Sequence, residues 1–448
     1  MRLSERLRPI RMQRIAIVGL ADHLRESLLM VGRIGTVDLD RERGATAEET
    51  YDGSGGHDPE RNRTARELDR IAADAVTRGH AAAVVGWCPE QQVPPLSVRL
   101  AETRASVVRL PSPRGVDPPT ALRPGSATRK SFSRLVNTYG TVAYPDVDPT
   151  LFAGLAYMLM FGMMFGDAGH GLLLVLIALL LRSGRVRALR RWRSSWPFVA
   201  GAGAAGTVFG LLYGEFFGPT GVVPVLWIAP MEQPVRLLAA GVGVGAVLLA
   251  GAYVMAVVDR WREGGPQLAV YAASGIAGIA VFVGLGLACA GLFLHLGVVA
   301  AIGGVTAVVG LVLAGAGFKA AAGPGAAGAA QAVVELFDAV LRIGTNVVSF
   351  ARLAAFGLVH AALASLVWTA TTRLFAAGGF VAAAGGVLVF VLGTSFVFTL
   401  EAVIAGIQAL RLTFYELFSR MFLQQGRPFQ PWRLPAEPAD RPVVREAS

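Results

Sequence analysis

Long apolar runs dominate the chain after about residue 150, and short polar segments separate them. Runs of this length and hydropathy predict membrane-spanning helices, because about 20 apolar residues cross a hydrocarbon core about 30 Å thick. We therefore predict an α-helical polytopic membrane protein with about eight transmembrane helices, the last two long and tilted. The predicted spans are 151–165, 169–181, 197–213, 235–258, 268–295, 296–318, 338–374 and 380–422.

The first apolar block is predicted to be a hairpin rather than one helix. A single helix over 151–181 would be about 47 Å long, well beyond the hydrocarbon core, and would leave the basic run after Arg182 on the outer face. Both difficulties vanish if the sequence GDAGHG at its centre is a turn.

Shorter periodic patterns precede the apolar runs and predict a small α/β domain. Strands are predicted at 15–19, 35–39, 81–87 and 105–110, and helices at 23–31 and 64–79. We place this cytosolic domain and its linker at 1–148, a transmembrane domain at 149–424 and a cytosolic tail at 425–448. An even number of spans, basic flanks and the lack of a signal-peptide pattern predict that both termini are cytoplasmic.

Arg352 lies within an otherwise apolar predicted span. An arginine at the centre of a membrane helix costs at least about 2.5–3.5 kcal/mol, so it needs a polar partner. On an ideal helix Asp338 lies about 40° from Arg352, Ser349 is one turn away and His360 leans to the same side. One polar stripe is thus predicted to cross the span.

The last predicted span carries a second stripe. Glu401, Gln408 and Arg411 fall within about a quarter of the helix circumference. Two facing stripes would make an ion path, and ionisable groups inside a membrane favour a functional interpretation. The alternative is that Arg352 and Arg411 pair with Asp338 and Glu401 only to fix helix packing.

Three polar residues are candidates on the outer side of the membrane. Asp167 and His170 lie in the predicted hairpin turn, and Glu215 lies in a later outward-facing loop. Asp167 and His170 could coordinate an ion or relay protons, or they could simply stabilise the turn through Asp and Gly chemistry.

A further acidic pair is predicted on the cytoplasmic side. Residues 323–341 suggest an interfacial helix that leads into the Arg352 span. This helix would place Glu335 and Asp338 at the cytoplasmic mouth of an ion path.

Composition narrows the class of protein. The chain of 448 residues is 54% hydrophobic and 16% charged, as expected for a polytopic membrane protein. Its net charge of +10 is concentrated in the first 150 residues, in 182–193 and after residue 411, which indicates positive-inside bias rather than nucleic-acid binding. Its two cysteines, Cys88 and Cys289, suggest neither a disulfide nor a metal site.

Several catalytic motifs are missing from the sequence. No Gly-Lys dipeptide occurs, so there is no Walker A loop, and there is no nucleophile elbow, HExxH or CxxC motif. The six histidines are dispersed and predict no metal-ligand cluster. We expect no enzymatic activity of its own, no cofactor and no bound metal.

Five motifs together resemble subunit a, called subunit I in prokaryotes, of the V-type rotary ATPases. They are LVNTYGTVAYPDVDPTLF, FGMMFGDAGHG, GTVFGLLYGEFFG, SFARLAAFGLVHAALA and LEAVIAGIQALRLTFYELFSRMF. They are ordered as in that family and lie within 131–424. The cytosolic part is shorter than is usual for the family, which puts attachment to the peripheral stalks in question.

The resemblance implies a static membrane partner for a rotating ring of c (K) subunits, each carrying a mid-membrane carboxylate. Arg352 matches the family's essential arginine and Arg411 its second arginine. Asp338 matches an acidic position of the cytoplasmic half-channel, Glu401 a buried carboxylate and His360 a polar position after the essential arginine.

The resemblance also implies binding partners and a location in the cell. The expected partners are the c ring, the peripheral stalks, the lipid bilayer and, indirectly, the central stalk and catalytic subunits, in the cell membrane of a prokaryote. Two other functions stay open from the sequence: a secondary transporter with its own midplane site, and a scaffold or assembly protein that no longer transports. The choice between H⁺ and Na⁺ is also open.

Overall fold

The computed structural model describes residues 9–40, 66, 68–113, 116–121, 132–133, 136, 144, 146–185, 187–272, 274–421 and 426–434. The described residues form two compact units. The first contains the segments up to residue 123, a short piece within 141–144 and the segment from residue 426, and the second contains the remainder. Residues 41–63, between the first predicted strands and the second predicted helix, and most of the predicted tail, 435–448, lie outside the described residues.

The first unit is built on an antiparallel sheet. Its strands are β1 (Met12–Leu20), β2 (Asp38–Leu39), β3 (Val76–Arg78), β4 (Ala81–Pro89) and β5 (Ser106–Arg109), in the order β2-β4-β1-β5, with β3 also paired to β4. Helices α1 (Leu24–Ile34) and α2 (Val93–Ala101) pack against it. Ile15, Ile17, Leu28 and Leu96 lie in the shared apolar core.

Two details of this unit differ from the prediction. The helix predicted over 64–79 is too long, because residues 76–78 form β3, which turns at Gly79 (φ 62°) to pair with β4. Helix α2 was not predicted, since its sequence begins with Val-Pro-Pro. Prolines are compatible with the first turn of a helix, where the backbone N–H groups have no intrahelical partner.

Residues 426–434, from the segment predicted to be a tail, pack on the first unit. The indole of Trp432 is buried in its core, and the backbone N–H of Trp432 donates to Val37 O at 2.9 Å. The Arg427 guanidinium donates to the carboxylates of Asp38 and Asp40 at 3.3 and 3.1 Å.

The second unit is helical. Its helices are α3 (Thr150–Phe165), α4 (Ala168–Ser183), α5 (Trp196–Tyr213), α6 (Pro234–Tyr271), α7 (Ile276–Phe293), α8 (Gly297–Ala322), α9 (Ala326–Ser349), α10 (Ala351–Ala376) and α11 (Phe380–Leu412). A π-helical turn (Thr413–Phe418) and the short α12 (Ser419–Met421) follow.

Among the described residues, six helical stretches are long and apolar enough to cross a membrane. They are Trp192–Tyr213, Pro234–Arg262, Gly265–Phe293, Gly297–Ala322, Ala326–Ala376 and Phe380–Met421. These six coincide with six of the predicted spans, and the chain is an α-helical membrane protein. Helices α3 and α4, at 16 residues each, are about 24 Å long, so the count of eight stays a prediction.

The segment predicted as one helix over 338–374 is divided. Helix α9 ends at Ser349 and α10 begins at Ala351. Between them the fully buried ring of Phe350 packs against Gly245 of α6, where a Cβ would lie 2.1 Å from Phe350 Cγ. Asp338 and Arg352 therefore lie on different helices.

The hairpin of α3 and α4 is confirmed, and both of its arms pack against α5. Glycine makes this close approach feasible. A Cβ on Gly210 would lie 2.0 Å from Ala168 N and 2.3 Å from the carbonyl carbon of Asp167. The backbone of α5 thus contacts the backbone of the turn that carries Asp167.

Replacing Gly210 with alanine should destabilise this packing. The added methyl has rigid backbone rather than a flexible side chain in its way, and overpacking of this kind costs about 1–3 kcal/mol. We expect a clear fall in the Tm of the detergent-solubilised chain. Gly243→Ala on α6 is the matched control, because nothing lies within 4 Å of its added Cβ. Equal Tm values for the two variants would contradict the packing described.

Candidate functional site

Five ionisable side chains meet in the interior of the helical unit. They are Asp167, His170, Glu215, His360 and Glu401, each at most 7% exposed. They come from the turn before α4, from α4 itself, from the loop after α5, and from α10 and α11. The hairpin, α10 and α11 therefore bring together residues that are far apart in the sequence.

Backbone N–H groups hold Asp167 in place. Its Oδ1 accepts from His170 N at 2.9 Å and from Phe217 N at 3.0 Å, and its Oδ2 accepts from Gly218 N at 2.7 Å. The first of these bonds caps the N-terminus of α4. These bonds stabilise the turn, and they also fix the orientation of a completely buried carboxylate.

His360 is the central residue of the cluster. Its Nδ1 is hydrogen-bonded to Glu401 Oε2. Its Nε2 lies 3.9 Å from Asp167 Oδ2 and 3.8 Å from Glu215 Oε2. On the other side of Asp167, His170 Nδ1 lies 3.8 Å from Oδ2. Each of the five side chains thus has an atom within 4 Å of an atom of another member of the cluster.

Glu215 is at the loop end of this cluster. Burial raises its pKa to about 8, and the negative charge of Asp167 raises it further in the same direction. At neutral pH this carboxyl group therefore holds a proton.

A second polar group surrounds Arg352. Its Nη2 donates to Ser349 Oγ and lies 3.5 Å from Glu416 Oε1, and the Ser349 hydroxyl donates to the same carboxylate oxygen. The side chain of Arg352 is 27% exposed and that of Glu416 is 8% exposed. The guanidinium thus has a counter-ion on one side and a partly open surface on the other.

The structure corrects the predicted ion pairs. Asp338 lies on the exposed side of α9 and pairs with Arg342, with 2.7 Å between Oδ2 and Nη2, not with Arg352. Glu401 contacts His360, not Arg411. The interpretation in which Arg352 and Arg411 pair with Asp338 and Glu401 is therefore wrong.

The remaining predicted residues lie outside both groups. Glu335 Oε1 accepts from Gln331 at 2.9 Å on exposed α9. Arg411 is exposed, and its positive charge acts on Glu416. The Gln408 Oε1 is buried and has no hydrogen-bond partner among the described residues.

Sequence reasoning missed Glu416. An ideal helix would place it about 140° from Arg411. The π-helical turn Thr413–Phe418 changes that register, and such turns are frequent at functional sites. A single acid within the apolar sequence TFYELF was the available signal.

The sequence gives no sign that two of the dispersed histidines lie close together in the fold. Ligand atoms of Asp167, His170 and His360 all lie within 4.8 Å of one another. His170 and His360 are on α4 and α10, so only tertiary packing brings them together.

Comparison with known proteins agrees with the motifs. A family model described as the V-type ATPase 116kDa subunit family matches residues 68–191. The A-type ATP synthase subunit I of Aeropyrum pernix is 30% identical over 371 residues, which cover 72% of this chain and 51% of the relative. The V-type ATP synthase subunit I 2 of Treponema pallidum is 36% identical over 173 residues, 36% of this chain and 37% of the relative.

A mammalian relative matches over a shorter region. The V-type proton ATPase 116 kDa subunit a 2 of Mus musculus is 40% identical over 101 residues, 21% of this chain and 12% of the relative. The chain spans about half the length, or less, of these relatives. The family model and relatives from an archaeon, a bacterium and a mammal agree, and this chain belongs to the V-type ATPase 116 kDa subunit family.

Proposed function

We propose that this chain is the membrane stator of a rotary V/A-type ATPase. It forms two ion half-channels against a ring of c (K) subunits and couples the translocation of protons or sodium ions to rotation of that ring. The chain is not itself catalytic in this proposal. ATP chemistry belongs to soluble subunits that reach it through the central and peripheral stalks.

The observation that carries the proposal is the placement of charge along α10. This helix holds the partly exposed Arg352 near its start and the buried His360 eight residues later, about 12 Å along the axis. Ionisable groups at such positions in an apolar helix are costly and mark ion pathways by default.

The cluster around His360 is suited to the outer half-channel. Its carboxylates and imidazoles exchange protons readily, and separations of 3.8–3.9 Å can be closed by a small side-chain rotation or bridged by a water molecule. The protonated Glu215 would provide the loop end of this route.

Arg352 would control ion release from the ring. A ring carboxylate crosses lipid only when it is neutralised, because a bare charge in hydrocarbon is prohibitively costly. When that carboxylate reaches Arg352, the guanidinium favours its ionised form, so the ion leaves into the outer half-channel. Arginine keeps its charge at any working pH and also repels cations, which prevents a direct leak between the half-channels.

The cytoplasmic half-channel would open near α9. The partly exposed Glu335 and the exposed Asp338 would attract cations to its mouth, and Gln408 and Arg411 of α11 would belong to the same half-channel. The setting proposed is the cell membrane of a prokaryote, with both termini in the cytoplasm.

Replacing Glu401 with glutamine tests the outer half-channel. The amide keeps the size of the side chain but cannot take up a proton, so we expect ATP-driven pumping in membrane vesicles to fall by about tenfold or more. Thr399→Val is the matched control two residues away, since the exposed Thr399 hydroxyl donates to Ser395 O within its own helix. Co-purification of the ring and the soluble catalytic subunits must be equal in both variants.

Wild-type pumping by the Glu401→Gln complex would contradict the proposed outer route. Failure of the wild-type chain to co-purify with any ring of small membrane subunits would contradict the stator assignment itself.

A further inference from the structure

We infer that Asp167, His170 and His360 form a binding site for a divalent transition-metal ion of the zinc class. The inference concerns metal binding, which does not depend on whether the chain transports ions.

The side chains of Asp167, His170 and His360 are of types that bind zinc. Two imidazoles and one carboxylate offer ligand atoms that all lie within 4.8 Å of one another. In a tetrahedral zinc site, with bonds of 2.0–2.2 Å, ligand atoms lie about 3.3–3.6 Å apart. Small side-chain movements of about an ångström would therefore complete the coordination.

Several donor atoms of this cluster are buried and unpaired within the part of the chain that the structure describes. Both ring nitrogens of His170, the Nε2 of His360 and the Oε2 of Glu215 are buried and lack a hydrogen-bond partner among the described residues. The three residues are at most 5% exposed. Buried polar atoms are nearly always paired, so unpaired atoms that lie close together indicate a bound ligand, to which each neutral imidazole can offer the lone pair of one ring nitrogen.

The outer partners of the ligands have the arrangement typical of metal sites. His360 is hydrogen-bonded through Nδ1 to Glu401, which leaves Nε2 directed at the cluster. This is the carboxylate–histidine–metal arrangement, in which the outer carboxylate fixes the tautomer and orientation of the ring. Three backbone N–H groups fix Asp167 in the same way.

The ligand types select the ion. Imidazole nitrogen favours zinc and its transition-metal neighbours, whereas Mg²⁺ and Ca²⁺ require six or more oxygen ligands. Glu215, with its Oε2 3.8 Å from His360 Nε2, is placed to supply a fourth ligand when the metal ion displaces the proton of its carboxyl group.

Zinc binding to the purified complex, prepared without a polyhistidine tag, tests the inference. The affinity for Zn²⁺ is measured by calorimetry in excess Mg²⁺ for wild type, His170→Asn and His295→Asn. His295 is the control because it is exposed between α7 and α8, and asparagine tolerates its left-handed backbone (φ 56°). We expect the strongest site to weaken at least about tenfold in His170→Asn and to be unchanged in His295→Asn.

Zinc-edge X-ray absorption of the wild-type complex gives a result that does not depend on any variant folding. Two imidazole nitrogens in the zinc shell support the site. A shell of oxygen alone, or an unchanged affinity in His170→Asn, would overturn the inference.

Pumping is recorded in the same preparations as a separate readout. If the cluster is also the outer half-channel, as proposed above, the wild-type complex loaded with zinc should pump more slowly than the same complex without zinc. That result tests the proposed function, while the affinity and the absorption spectrum test the metal site.

Discussion

Replacing Arg352 with alanine should abolish ATP-driven ion pumping while the complex still assembles. Without a fixed cation, nothing favours the ionised form of a ring carboxylate at the interface, so the ion is not released. We expect pumping in vesicles to fall to background. Arg352→Lys should retain little activity, because a flexible lysine side chain does not hold its charge in the fixed orientation that the contacts of Nη2 with Ser349 and Glu416 give the planar guanidinium.

The control for this experiment lies on the same helix. Arg373 is exposed in the last turn of α10 and contacts neither polar group, so Arg373→Gln should pump at nearly the wild-type rate. Pumping that survives Arg352→Ala would exclude the stator mechanism.

Replacing Glu416 with leucine should have the second-largest effect. Breaking a buried ion pair by removing one partner costs about 3–5 kcal/mol, and the lower end applies here because Arg352 is 27% exposed. Two results are expected: a lower Tm of the solubilised chain and strongly reduced pumping, since the guanidinium loses the group that orients it.

An exposed ion pair, Asp338–Arg342, provides the control for the Tm measurement on Glu416→Leu. Asp338→Asn removes one partner of the Asp338–Arg342 pair, whose side chains are 53% and 68% exposed, and such pairs contribute about 0–1 kcal/mol. A Glu416→Leu variant with the same Tm as Asp338→Asn would contradict the proposed role of Glu416 as the counter-ion of Arg352.

Local patterns in the sequence predict part of this site. Ser349 and Arg352 are only three residues apart, and Phe350 between them keeps helix-like backbone angles (φ −73°, ψ −10°), so the division of the helix leaves them in contact. The hairpin also follows from local information, because the length of its apolar run and the basic residues after it exclude a single helix.

Other contacts depend on tertiary packing and could not be predicted from periodicity. His360 meets Asp167 and His170 only because the hairpin packs beside α10. Glu416 reaches Arg352 because of a π-helical turn, which residue spacing does not predict. The division that separates Asp338 from Arg352 lies at Phe350, whose ring packs against Gly245 of another helix.

The central claim is that Arg352 is the fixed positive charge past which the ring carboxylates move. The most direct measurement is the structure of the assembled membrane complex, read as the distance between the Arg352 guanidinium and the nearest ring carboxylate. The account predicts that the partly exposed side of the guanidinium faces the ring, within about 4 Å of a carboxylate oxygen in at least one rotary state. A guanidinium directed at lipid, or separated from the ring by other helices of this chain in every state, would contradict it.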